Sequence, residues 1–267
     1  MKKYQGVFER IKNKYPELIN ERPLYYKEAA ELYDQISIVY DDYPMFLQQA
    51  VIHGGPILEL CCGSGRLTLP LLKAGFRITA VDLSEDMLLN LRQQLEKNKR
   101  YEKYKNNVSL VCQDMTKLDL DETYNIIMIG ATSIRLMEKD FIAFFNEMHD
   151  LLNPGGCLFF NIEDLPASRR SNEAENPMGV FDFEEKDGKL ALICMQRFID
   201  YEEKRATVNF IKIVPGTEEK ILLSQTEYRI FGKEDIEFAA EKSKFGSCEI
   251  IKDANSVNYF CRMLKKN

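Results

Sequence analysis

Residues 57–65 read Ile57-Leu58-Glu59-Leu60-Cys61-Cys62-Gly63-Ser64-Gly65. A short apolar run ended by Gly-x-Gly has the pattern of a buried strand turning into a helix. Glycines at such a turn let the backbone approach a ligand that a Cβ would push away. The helix start behind the turn offers free N–H groups. Downstream, residues 67–75 predict a helix stopped by Gly75, and 76–82 (FRITAVD) a second strand ending in Asp82. A helix over 84–99 follows, with Ser84 as N-cap and Glu85 and Asp86 in its first turn. Strands are predicted over 107–114, 124–131 and 157–164, with an amphipathic helix over 140–152 closed by Asn153-Pro154-Gly155-Gly156. Strands alternating with helices predict a parallel, doubly wound α/β sheet.

The rhythm changes beyond this block. Residues 165–179 are polar and irregular and read as a loop. Residues 189–200, 205–214 and 220–231 have strand character, with turn signals at Asp187-Gly188 and Pro215-Gly216. They predict an inserted antiparallel meander. A helix over 233–244 and strands over 248–253 and 257–266 return to the α/β pattern. Upstream, residues 1–55 read as two or three amphipathic helices broken at Pro16, Pro23 and Pro44, with no strand before residue 56. The predicted organisation is a helical cap (1–55), an α/β core (56–164), an antiparallel lid insertion (165–231), and a final helix with two core strands (232–267).

The bulk properties exclude several function classes. The chain has 267 residues, 45% hydrophobic and 29% charged, an ordinary globular mix. Its net charge is −6, and its one dense basic stretch, Lys97 to Lys105, reads as a solvated helix end. A nucleic-acid partner is therefore not expected. Seven cysteines fall into no metal-knuckle spacing and only two histidines exist, so no metal is expected. Without an apolar leader or an apolar run of about 18 residues, the reading is a soluble, cytoplasmic protein with reduced thiols and no membrane partner. Nothing in the sequence sets an oligomeric state.

The crevice can be read residue by residue. Asp82 ends the second strand, where an acid can accept both hydroxyls of a ribose. Asp114-Met115 ends the third, where a carboxylate can take an adenine amino proton. A dinucleotide site needs a third glycine, where this chain has Thr68, and a P-loop needs Gly-Lys-Ser/Thr, which is absent. An adenosyl ligand without phosphates suits what remains. Asp82 and Asp114 also read as plain strand-end caps.

Four motifs in order, ELCCGSG (59–65), VDLSEDML (81–88), CQDM (112–115) and LLNPGG (151–156), resemble those of class I S-adenosylmethionine-dependent methyltransferases. The resemblance covers residues 56–164 and implies a Rossmann-like, seven-stranded sheet with its last strand antiparallel, and S-adenosyl-L-methionine as cofactor. It implies that Gly63 and Gly65 approach the methionine moiety, with Cys61 and Gly130 at the neighbouring strand ends. Asp82 would bind ribose, Leu83 or Met87 pack the adenine, and Asp114 with the Met115 backbone read its edge. Glu59 would help position the amino group, and Arg66 would pair with the ligand carboxylate or with Glu59.

For the acceptor, the amino-methyltransferase tetrapeptide of nucleic-acid enzymes is replaced by Gly130-Ala131-Thr132-Ser133. The cap and meander resemble lids of small-molecule N-methyltransferases, in which a Tyr-Asp pair lies over the cofactor. Tyr33-Asp34 matches that pair and Tyr40-Asp41 repeats it; packing of a cap helix is the alternative for these tyrosines. Glu163 and Asp164 are the candidate catalytic acids that hold a cationic amine. Alternatively they cap the strand or pair with Arg169 or Arg170. Phe181, Phe183 and Tyr228 either wall an acceptor pocket or form meander core. The expected function is N-methylation of a small-molecule or peptide amine, in the manner of enzymes acting on azole-containing peptides in natural product biosynthesis. A small-molecule O-methyltransferase and a catalytically silent adenosyl-binding scaffold are the alternatives.

Overall fold

The computed structural model describes residues 4–37, 42–163, 178–185, 188–216, 221–252 and 258–266. In chain order the elements are α1 (Gly6–Lys14), β1 (Ile19–Pro23), α2 (Glu28–Ser37), α3 (Tyr43–His53), β2 (Ile57–Leu60), α4 (Thr68–Lys73), β3 (Ile78–Asp82), α5 (Glu85–Lys97), β4 (Val108–Cys112), β5 (Tyr124–Ile129), α6 (Phe141–Leu151), β6 (Leu152–Glu163), β7 (Met178–Glu184), β8 (Leu190–Asp200), β9 (Arg205–Ile213), β10 (Ile221–Arg229), α7 (Lys233–Lys242), β11 (Glu249–Lys252) and β12 (Asn258–Leu264). They divide into two compact units, Met1–Ile36 with Ala167–Ile230, and Ser37–Pro166 with Phe231–Asn267.

The second unit holds a seven-stranded sheet in the order β11-β12-β6-β5-β2-β3-β4. Strands β2 to β6 are parallel, and β12 runs against both of its neighbours. This is the doubly wound fold with an antiparallel last strand that the sequence predicts. All four residues of β2 are buried, because helices cover both faces of a parallel sheet. On one face Phe144, Phe145 and Ile236 of α6 and α7 pack on Leu58, Ile127 and Phe160. On the other, Phe46, Leu71 and Leu91 of α3, α4 and α5 pack on Ile57, Ile126 and Phe159. From β2 the chain winds outward to β3 and β4 on one side and to β5 and β6 on the other. The switch point, where such folds bind ligands, lies between the carboxyl ends of β2 and β5.

Helix α3 falls with this core, where the sequence reading joined it to a cap of residues 1–55. The cause is Phe46, which packs edge-on against Phe159 at 5.2 Å and Phe260 at 5.9 Å, while those two rings stack at 5.4 Å.

The first unit holds a five-stranded sheet in the order β1-β10-β9-β8-β7. Strands β7 to β10 are antiparallel, and β1 joins β10 in parallel from Ile19↔Ile221 to Pro23↔Gln225. Two strands correct the sequence reading. Ile19–Pro23 was expected to be helical or broken, and the first residues of β7 were expected in a loop. Asn-Glu-Arg-Pro has no strand pattern; β10 supplies the pairing, and Pro23 sits at an edge strand's end, where its missing N–H costs nothing. Leu24, Leu32, Ile193, Phe210 and Leu222 form one small core, with Tyr33, Phe183 and Tyr228 packed against it. Tyr4, Phe8, Ile211 and Leu223 form another on α1.

If α3 belongs to the α/β core, Phe46→Ala should destabilise that unit by about 3–5 kcal/mol. Urea unfolding followed by near-ultraviolet signal reads this directly. A loss below about 1 kcal/mol contradicts the assignment, since a large-to-small change at a fully packed site costs more.

Candidate functional site

The turn after β2 carries three left-handed residues, Cys61 (φ 56°), Gly63 (φ 56°) and Gly65 (φ 96°). The two glycines are needed for different reasons. A Cβ on Gly65 would lie 2.4 Å from Leu91 Cδ1, so this glycine lets α5 pack on the turn. A Cβ on Gly63 would meet nothing within 4 Å, so open space lies above it. Gly130, at the end of β5, is a packing glycine too: its Cβ would come within 2.6 Å of Leu67 Cδ1 and 3.1 Å of Arg66 Nη2.

Asp82 ties this turn to the next. Its Oδ2 accepts from the Gly63 N–H at 2.8 Å, and its Oδ1 from the Ser84 N–H at 2.8 Å. Burial pushes its pKa up, and the backbone N–H groups of Ser84, Gly63 and Leu83 pull it back. The Ser84 hydroxyl caps α5 by accepting from the Met87 N–H at 3.3 Å. Of the two apolar candidates beside Asp82, Met87 is 1% exposed and belongs to the core, whereas Leu83 is 60% exposed. Farther along the strand ends, Asp114 Oδ1 accepts from the N–H and the hydroxyl of Thr116, each at 2.8 Å. Buried Met115 brings its sulfur within 3.5 Å of Cys61 Sγ. Burial pushes the Cys61 thiol well above its ordinary range, so it stays protonated.

Glu59 is buried beneath the turn and accepts from the Thr68 hydroxyl at 2.7 Å. Burial raises its pKa to about 7, against the pull of Thr68 and Arg66. Arg66 meets an acid the sequence reading did not name. Its guanidinium takes Asp42 in a two-pronged ion pair, Nη1 to Oδ1 and Nη2 to Oδ2, the latter at 3.0 Å. Asp42 Oδ2 also accepts from the Ala131 N–H at 3.2 Å and from Asn161 Nδ2 at 3.1 Å. Asn161 Oδ1 accepts from the Thr132 N–H at 2.8 Å. Ala131 (φ 50°) and Thr132 (φ 56°) are successive left-handed residues without a glycine; such residues cost on the order of 1–3 kcal/mol each and persist only where their surroundings fix them.

Glu163 meets an arginine, though not one of the two the sequence reading offered. Arg135, 3% exposed, donates from Nη1 to Glu163 Oε2 at 2.9 Å and from Nη2 to the Glu163 carbonyl. Asp164, Tyr40-Asp41, Arg169 and Arg170 lie outside the described residues. Tyr33 belongs to the first unit, where its ring meets Tyr25 edge-on at 5.0 Å. His149 sits against Phe245 at 5.1 Å, away from the strand ends. The seven cysteines are free. Among the described residues no group of three or more His, Cys, Asp or Glu is arranged to hold a metal, and no helix is long and apolar enough to cross a membrane.

Sequence reasoning missed Asp42, Asn161, Thr68 and Arg135. Asn161 left a signal: an amide inside the apolar run Cys157-Leu158-Phe159-Phe160-Asn161-Ile162 must find partners once buried.

Glu59 sets a pH dependence. Its folded pKa lies above its ordinary value, so its contribution to stability is complete below about pH 4.5 and is lost as the pH rises through about 7. Urea midpoints should therefore fall over that interval, and Glu59→Gln should shrink the fall. An identical fall in the variant assigns it to other groups.

Residues 57–156 match a family model described as a methyltransferase domain. Among curated proteins, YqeM of Bacillus subtilis (strain 168) is 27% identical over 142 residues, covering 51% of this chain and 55% of that one. The cypemycin N-terminal methyltransferase of a Streptomyces species is 28% identical over 159 residues, covering 57% of this chain and 62% of that one. Relatives aligned over part of the chain also include a malonyl-[acyl-carrier protein] O-methyltransferase. The chain spans about half the length of the curated relatives it matches. Among solved structures, the CcbJ methyltransferase from Streptomyces caelestis superposes with a TM-score of 0.74 at 20% identity, covering 92% of this chain and 99% of that one, a likeness of fold. Residues 57–156 thus match a methyltransferase domain, and the sheet order is that of a fold this chain shares with the CcbJ methyltransferase.

Proposed function

We propose that the protein transfers a methyl group from S-adenosyl-L-methionine to an amine of a small molecule or peptide. The observation that carries the cofactor half is the open space over Gly63 beside the half-buried Asp82 and the exposed Leu83. An ionised carboxylate offers about four lone-pair sites. Asp82 engages the N–H groups of Gly63 and Ser84, with Leu83 also pulling on it, and the rim-facing part of its carboxylate is offered to the ribose hydroxyls. Leu83 supplies an apolar face for a purine, and in this reading Asp114 with the Met115 backbone reads its edge. Gly63, Gly65 and Cys61 form the floor, while Glu59, Arg66 and Gly130 shape that floor from below and beside it. Met87 supports it from the core.

The bound cofactor supplies an activated methyl group for in-line displacement; the protein's part is alignment and exclusion of water. Glu163, neutralised by Arg135, orders the strand end in this reading and is not the group that takes the amine proton. Asp164 and Tyr33 remain our candidates for contacts at the acceptor. Likeness to an N-terminal methyltransferase supports an amine acceptor, and a specialised peptide is the class to screen first. Likeness to an O-methyltransferase keeps hydroxyl and carboxyl acceptors in the same screen. The free thiols support a reducing, cytoplasmic setting.

Calorimetry tests the cofactor half. S-Adenosylhomocysteine should bind with a Kd of order micromolar, and NAD should give no heat. Asp82→Ala removes two charge-assisted hydrogen bonds worth about 1.5–3 kcal/mol each, so its affinity should fall at least about tenfold. Its stability should fall too, because Gly63 and Ser84 lose their acceptor. NAD binding, or an Asp82→Ala variant with unchanged affinity, overturns the assignment. Mass spectrometry with amine-, hydroxyl- and carboxyl-bearing acceptors then decides the atom methylated.

A further inference from the structure

Asp42 occupies the N-cap position of α3, yet its side chain makes no cap bond. An aspartate there ordinarily accepts from its own helix. Here the carboxylate, 3% exposed, instead meets Arg66 after β2, the Ala131 N–H after β5, and Asn161 on β6. Asn161 is fully buried, and its partners fix its amide orientation: the oxygen takes the Thr132 N–H and the nitrogen faces Asp42. Both amides of the left-handed Ala131–Thr132 turn are thus gripped by two buried side chains. The grip is anchored in turn. The Asp42 carbonyl accepts from the Met45 and Phe46 N–H groups, and Phe46 is locked between Phe159 and Phe260.

Sheet order tells which part of a ligand this turn faces. Asp82 and Asp114 lie at the ends of β3 and β4, on one side of β2; the gripped turn lies at the end of β5, on the other side. Leu60 and Ile129 are paired, so the Gly63 turn and the 130–133 turn leave the sheet side by side. A ligand with ribose on Asp82 and its base toward Asp114 must send its opposite end past Gly63 toward the gripped turn. We propose that Asp42 and Asn161 are positioning residues that preset the Ala131–Thr132 turn as the wall against the amino-acid end of the cofactor, where the methyl group is transferred. The proposal rests on the cofactor reading above.

The test compares two probes, S-adenosylhomocysteine and 5′-methylthioadenosine, which share the adenosine half but not the amino-acid end. Asn161→Leu keeps the γ-branched shape and the neutral charge, at a larger volume, and releases Thr132 and Asp42. Amide exchange at Ala131 and Thr132 should rise at least tenfold. Affinity for S-adenosylhomocysteine should fall at least tenfold, while that for 5′-methylthioadenosine stays within twofold. Should Asn161→Leu not fold, Asp42→Asn carries the same comparison. Equal weakening of both probes points to a merely structural role and overturns the proposal, as does unchanged binding of the first. A native protein that binds neither probe overturns the cofactor reading instead, and this proposal with it.

Discussion

At the end of β3 one carboxylate holds two chain reversals together: Asp82 accepts from Gly63, where β2 ends, and from Ser84, where α5 begins. The turn it holds cannot take other residues freely. Gly65 has Leu91 against its Cα, and Cys61, Gly63 and Gly65 all lie in the left-handed region. With the turn so fixed, the space above Gly63 is open, and the half-buried acid and the exposed Leu83 lie at the next strand end. An open, partly apolar space with an acid at its rim suits a nucleoside better than a polyphosphate, and the chain's negative charge agrees with a cationic sulfonium ligand.

Around that turn the charges are arranged in pairs, and the pairing limits which groups can take part in chemistry. Arg66 is neutralised by Asp42, and Glu163 by Arg135. Glu59, bonded to the Thr68 hydroxyl, responds to burial by rising to about 7. Breaking either pair would leave a charge that is costly to bury. These groups therefore read as architecture for the strand ends.

Much of this was legible in the sequence, for identifiable reasons. Parallel strands buried on both faces appear as apolar runs, so β2, β5 and β6 stood out, and Asp82 followed from its place at a strand end. Strand β1 did not, because Ile19–Pro23 owes its conformation to β10, distant in sequence. The role of α3 depended on how Phe46 meets Phe159 and Phe260, which periodicity cannot reveal. Arg66 was matched to a ligand carboxylate or to Glu59, whereas the acid it grips, Asp42, is 24 residues away, just past the Tyr40-Asp41 pair that drew attention. Leu83 and Met87 were equivalent on paper, and only burial separated them.

The central claim is that the strand-end crevice at Gly63 and Asp82 holds the adenosyl cofactor. A crystal structure of the protein with S-adenosylhomocysteine tests it most directly. The expected result is both ribose hydroxyls on the Asp82 carboxylate, the purine against Leu83, and the amino-acid end over Gly63 toward the Ala131–Thr132 turn. Ligand density elsewhere, with Asp82 bonded only to the Gly63 and Ser84 amides, would contradict it.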